Sequence, residues 1–115
     1  MRVKLTPQRN DNILEYQYKT DKVVVIYHKR EVRTVLKEIE ESPVQLEELQ
    51  TIETFTDTFD FLELPDGIVT DIETNLPVNP IVSAERKDGL LSIVLLNFIG
   101  ADATVEDRFP IWKEV

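Results

Sequence analysis

The dipeptide Asp88-Gly89 stands alone between two apolar-rich runs, Ile81–Lys87 and Leu90–Ile99. A two-residue turn with positive φ at both positions favours Asp or Asn followed by Gly, so the arrangement predicts a tight antiparallel hairpin. Counting outward from the turn pairs Lys87 with Leu90, Arg86 with Leu91, Glu85 with Ser92, Ala84 with Ile93, Ser83 with Val94, Val82 with Leu95 and Ile81 with Leu96. One face is then Val82, Ala84, Leu91, Ile93 and Leu95. The other is polar near the turn (Glu85, Lys87, Ser92) and apolar at its far end (Ile81, Val94, Leu96). A strand apolar on both faces belongs at the centre of a sheet or under cover on both sides. The hairpin is therefore expected to supply the most buried strand of the fold.

The N-terminal third also reads as strands. Val3 and Leu5 alternate with Arg2 and Lys4 in a short run that Pro7 closes. Ile13–Lys19 and Val23–Tyr27 follow, joined by Thr20-Asp21-Lys22. The period then changes. Val32, Val35, Leu36 and Ile39 fall at i, i+3, i+4 and i+7, which predicts a helix from about Arg30 to Glu41. Ser42-Pro43-Val44-Gln45 has a capping serine, a proline suited to the first helical position and a glutamine three residues after the cap. It predicts a short second helix, Pro43 to about Gln50, burying Leu46 and Leu49. Thr51–Leu64 reads as a bent strand through Phe55, Phe59 and Phe61. Pro65-Asp66-Gly67 reads as a turn, Ile68–Ile72 as a short strand and Asn75–Pro80 as an internal linker. Asp102–Arg108 is suited to a helical turn that Pro110 ends, leaving Ile111 and Trp112 as anchors. The expected architecture is α+β, a single domain over residues 1–115. Its mostly antiparallel sheet has five to seven strands, includes the C-terminal Asp-Gly hairpin, and packs against one longer and one short helix.

Charge is distributed unevenly along the chain. Glu38 to Glu85 contains no lysine or arginine and thirteen acidic residues. Residues 1–37 hold nine basic groups against four acidic ones, a local +5; residues 38–80 carry −12 and residues 81–115 carry −2, giving the −9 of the whole chain. Such an asymmetry creates a field that steers whatever binds. The crowding of Glu38, Glu40 and Glu41 at the C-terminal end of the first expected helix is locally unfavourable and hints at a cationic neighbour.

The chain lacks the residue patterns that carry most chemistry. With 115 residues it can bury roughly two-thirds of its surface in one core. The absence of cysteine excludes disulfides, thiolate metal sites and a cysteine nucleophile. Its glycines, Gly67, Gly89 and Gly100, are too far apart to cradle a phosphate. His28 is the sole histidine; it cannot build the usual zinc shell, and Ser42, Ser83 and Ser92 lie on no nucleophile-elbow sequence. It reads as a polar residue just past a strand end. Asp57, Asp60, Asp66, Asp71 and Glu73 are numerous enough for a divalent cation but show no calcium-loop spacing, so they read as a solvated acidic face. Tyr16, Tyr18 and Tyr27 in the basic region resemble in outline a base-stacking platform, yet the net negative charge repels phosphate and they read as half-buried sheet residues. No catalytic residue, metal site or cofactor is expected.

These features point to a non-enzymatic interaction, assembly or accessory protein of the compact kind that bacteriophages encode. Charge asymmetry between the basic N-terminal third and the acidic middle would drive association with itself or with a protein partner. The candidate partner-binding residues are Glu47, Glu48, Asp57, Asp60, Asp71, Arg30, Arg33 and Trp112. Alternatives are an acidic mimic of nucleic acid that inhibits a basic protein, and a small-ligand binder or unfamiliar carboxylate enzyme. Direct nucleic-acid binding and membrane insertion are not expected. Without cysteine or a long apolar run, the expected location is the cytoplasm, or a virion assembled there.

Overall fold

The computed structural model describes residues 1–37 and 45–115, and the side chains of all of these except 35–37, 45–47 and 106. Its elements run β1 (Arg2–Arg9), β2 (Ile13–Lys19), β3 (Lys22–Lys37), β4 (Gln45–Asp60), β5 (Gly67–Ile68), β6 (Ile81–Lys87), β7 (Leu90–Ile99), α1 (Val105–Arg108) and β8 (Lys113–Glu114). They form two sheets, a five-stranded one in the order β5-β6-β7-β1-β8 and a three-stranded one in the order β2-β3-β4. The expected α+β fold is therefore corrected to a β fold of two layers. Among the described residues the only helical element is the single turn α1, which Thr104 caps by accepting a hydrogen bond from the Asp107 amide.

Neither expected helix is present among the described residues. Arg30–Lys37 continues β3 and Gln45–Gln50 opens β4, while Ile39 and Ser42-Pro43-Val44 lie outside them. Sixteen consecutive pairs, Lys22↔Asp60 through Lys37↔Gln45, join these strands. β-Branched residues are frequent on both, from Val23, Val24, Val25 and Ile26 to Thr54, Thr56 and Thr58, and their stiff side chains favour the pleated ladder. A short helix draws most of its stability from burying an apolar face. Among the described residues no sheet lies over Val32 or Leu49, both of which are exposed.

Both expected hairpins are present, the first with a two-residue turn in place of the expected loop Thr20-Asp21-Lys22, because Lys22 already belongs to β3. Lys19 pairs with Lys22 around Thr20-Asp21, and Asp21 has φ 50°. At the second hairpin, Asp88 and Gly89 have φ 50° and 80°. The register away from this turn holds as far as Ser83↔Val94, after which Ile81 pairs with Leu95. Val82 is thus the extra residue of a bulge, which reverses the expected placement: Ile81 is buried and Val82 is exposed. One inserted residue switches the face of everything beyond it.

Pro7 does not close β1, which runs on to Arg9 in parallel register with β7. The Asn10 amide donates to Ile99 O, so even-numbered amides of β1 point toward β7 and odd-numbered ones point away. On that outward side β8 covers only Arg2 and Val3. Pro7 therefore lacks its N–H where no ladder bond is required, the placement an edge tolerates. The strand expected over Ile68–Ile72 is shortened to Gly67–Ile68, and that expected over Thr51–Leu64 ends at Asp60.

The core lies between the sheets. Val23, Val25, Tyr27 and Phe59 from the three-stranded sheet meet Ile81, Ala84, Leu91, Ile93 and Leu95 from the five-stranded one, with Val3, Phe61 and Leu76 completing the buried cluster. Arg86 crosses the same boundary. Its guanidinium donates to Asp21 Oδ2 at 3.0 Å, Gly89 O at 3.2 Å and Phe61 O at 2.6 Å, tying β6 to the β2–β3 turn and to the chain leaving β4.

Tyr16 makes another link between the layers by donating its hydroxyl to Leu96 O. Burial, and secondarily the neighbouring Tyr18 hydroxyl, push the Tyr16 phenol well above its ordinary value. Folding thus favours the protonated phenol. That preference is fully present below the unfolded-state pKa of about 10 and is lost as pH rises toward the folded-state value. Melting temperature is expected to drop above pH ~10, and less steeply for Tyr16→Phe. Identical alkaline slopes for the two proteins would show that Tyr16 is not the sensitive group.

Candidate interaction surface

The molecule measures 73 × 31 × 20 Å, and the long dimension follows from β3 and β4. β2 accompanies β3 only from Lys22 to His28. At that end Asn12 closes the three-stranded region: its Oδ1 accepts from the Arg30 amide at 2.9 Å and its Nδ2 donates to the Tyr27 hydroxyl at 3.0 Å. Beyond it, Lys29–Lys37 and Gln45–Glu53 continue as a two-stranded arm, nine residues on each strand and roughly 30 Å long at the usual strand rise.

Among the side chains described, none of the buried core residues belongs to this arm. Arg30, Val32, Arg33 and Thr34 on β3 are exposed, as are all of Glu48–Thr54 on β4. Val32 and Ile52 are 62% and 58% exposed. Cross-strand register puts Arg30, Val32 and Thr34 on one face with Ile52, Gln50 and Glu48; Lys29, Glu31 and Arg33 share the other with Glu53, Thr51 and Leu49. On this second face Glu31 bridges Lys29 at 3.1 Å and Arg33 at 3.5 Å. Those cations hold the Glu31 carboxyl below its ordinary range, Lys29 contributing most. By sequence, the β3 side of the arm has four basic residues and one acidic, and the β4 side has three acidic residues and no basic one.

The candidate residues named from sequence separate into groups. Arg30, Arg33 and Glu48 are exposed on the arm. Glu47 pairs with Val35 in the ladder, its side chain lying outside the description. Asp57 is half-buried and holds the following loop, accepting from Thr74 Oγ1 at 2.7 Å and from the Asn75 amide at 3.2 Å. Asp60 lies 3.6 Å from Lys22 and caps the Leu62 amide. Asp71 is exposed in a loop with φ 56°. Trp112, at the opposite side of the fold, lies 5.1 Å from the Arg2 guanidinium in a cation–π contact.

Sequence reading missed a groove beside Trp112. Val3 and Leu5 of β1, with Phe109, Ile111 and Val115 of the C-terminal segment, line a space of about 310 Å³ whose polar rim includes Asp107 and Lys113. Its only sequence signal was the cluster of apolar residues after Pro110. His28 sits within β3 opposite Ile13, not past a strand end, with Nε2 3.1 Å from Glu15 Oε2 and Nδ1 3.1 Å from Thr54 Oγ1. Among the described residues no three histidine, aspartate or glutamate side chains gather as a metal site, and no helix is long and apolar enough to cross a membrane. No protein family, curated protein or solved structure matches this chain.

Proposed function

We propose that this chain is a small non-enzymatic assembly or accessory protein, of the kind a virion recruits, whose arm is its principal contact element. The observation carrying this reading is the arm itself, a charged ribbon that leaves the body and whose described side chains contribute nothing to the core. Ordering such a ribbon costs conformational entropy without core burial in return. A partner that covers it supplies the missing burial. The opposed charges of its strands suit electrostatic steering toward a complementary surface. The acidic-mimic reading has less support, because its carboxylates are dispersed: Glu48 and Glu53 occupy opposite faces of the arm, and Asp57 is engaged by the loop.

Light-scattering mass after size exclusion tests this. At low ionic strength the protein is expected to run as an oligomer that dissociates near 0.5 M salt, where exposed charge contacts are screened. Arg30→Glu/Arg33→Glu is expected to remain monomeric and melt as wild type does. A salt-insensitive oligomer that the double substitution leaves intact would overturn the arm as contact element. A single-chain mass at every salt would remove self-assembly as the main role.

A further inference from the structure

The two edges of the arm differ in charge, and the described residues leave both unpaired. Because the Arg30 amide points toward β2's side, the backbone groups of Val32 and Thr34 point the same way, where β2 no longer runs. On β4 the alternation is complementary. Odd-numbered residues face β3, as the Phe61 amide does in donating to Asp21 O just past the strand. Glu48, Gln50, Ile52, Thr54, Thr56 and Thr58 therefore direct their N–H and C=O groups outward from an edge strand.

Proteins that must avoid edge-to-edge pairing blunt such strands with lysine, proline or bulges. Gln45–Asp60 contains no lysine, proline or glycine, and its ladder with β3 runs without a register shift. At the body end the Thr58 amide is already taken by Asp57 Oδ1, which leaves Glu48–Thr56, nine residues or roughly 30 Å, as the open part of this edge. Charge then selects what covers it. The strand carries Glu47, Glu48, Glu53, Asp57 and Asp60 and no basic residue, so two copies of this edge repel each other. The uncovered length of β3 carries Lys29, Arg30, Arg33 and Lys37 against Glu31.

We propose that the uncovered edge of β3 in one copy adds as a strand to the β4 edge of a second copy. This rests on the preceding reading of the arm as a contact element and specifies its occupant. The contact joins two different surfaces, so a joined pair still presents one free β3 edge and one free β4 edge, and association continues into a ring or a filament without stopping at two chains.

Two full-length variants test the edges directly. Val32→Pro and Gln50→Pro each delete one outward N–H, leaving the β3–β4 ladder bonds in place. Each is expected to lower the light-scattering mass toward one chain at concentrations where wild type exceeds two, with melting temperature nearly unchanged. A charge exchange provides the second arm: Arg30→Glu/Arg33→Glu and Glu48→Lys/Glu53→Lys are each expected to be monomeric alone and to co-assemble when mixed. A fixed two-chain mass for wild type, or a single-chain mass at all concentrations, would overturn the proposal. If charge reversal dissolves the oligomer while both prolines leave it intact, edge pairing falls and the arm remains the contact. If neither kind of substitution changes the mass, the arm reading fails with it.

Discussion

Ile93→Asp is expected to abolish the folded state. Ile93 is fully buried at the centre of β7, between β6 and β1 and beneath the three-stranded sheet. Its neighbours in register, Ala84 and Val3, are also buried and offer no partner to a carboxylate. Placing an unpaired charge there costs several kcal/mol, comparable with the ~5–15 kcal/mol that holds a domain of this size together. Circular dichroism and thermal melting are expected to show no cooperative transition. Ile93→Val, which removes one methylene at a cost of about 0.5–1.5 kcal/mol, is expected to melt cooperatively at a somewhat lower temperature. A soluble, cooperatively melting Ile93→Asp protein would show that β7 is not central to the core.

Arg86→Ala is expected to produce the second-largest loss, about 3 kcal/mol, or a fall of roughly 10 °C in melting temperature. Arg86 is only 9% exposed, and its guanidinium satisfies the Asp21 carboxylate and two backbone carbonyls at the junction of the sheets. Truncation leaves those acceptors without their donor, a cost beyond the loss of the bonds themselves. Arg86→Met with Asp21→Asn is expected to recover part of the loss, because apolar volume is restored and the stranded carboxylate is gone. If Arg86→Ala instead melted within a degree or two of wild type, water would be replacing the guanidinium and the junction would owe its stability to apolar packing.

The misreading of residues 30–37 and 45–50 has a definite physical origin. Val32, Val35 and Leu36 do have helical spacing, and Glu, Leu, Lys and Gln, which dominate the surrounding sequence, are good helix formers. Periodicity over so few apolar residues cannot reveal that each has a cross-strand partner on a distant segment, as Val32 has in Gln50. The candidate site was legible to a similar degree. The charge split singled out Arg30, Arg33 and Glu48, which the fold places on one exposed ribbon. Sequence could not distinguish them from Asp57, whose carboxylate is occupied by Thr74 and Asn75. Nor could it bring Val3 and Leu5 beside Phe109 and Ile111 to form the C-terminal groove.

What the sequence determined by itself were features set by near neighbours. Positive-φ turn chemistry at Asp88-Gly89 and the apolar run from Leu90 to Leu96 require a hairpin whose second strand is largely buried, and Leu91, Ile93 and Leu95 are its buried face. Tertiary structure alone decided the parallel pairing of β1 with β7, the bulge that exchanges Ile81 for Val82, and the extension of β3 and β4 into an arm. Each of those depends on which distant strand supplies the backbone partner. Ladder hydrogen bonds carry no side-chain signature along the chain, so their pairing is settled only when the layers close on a common core.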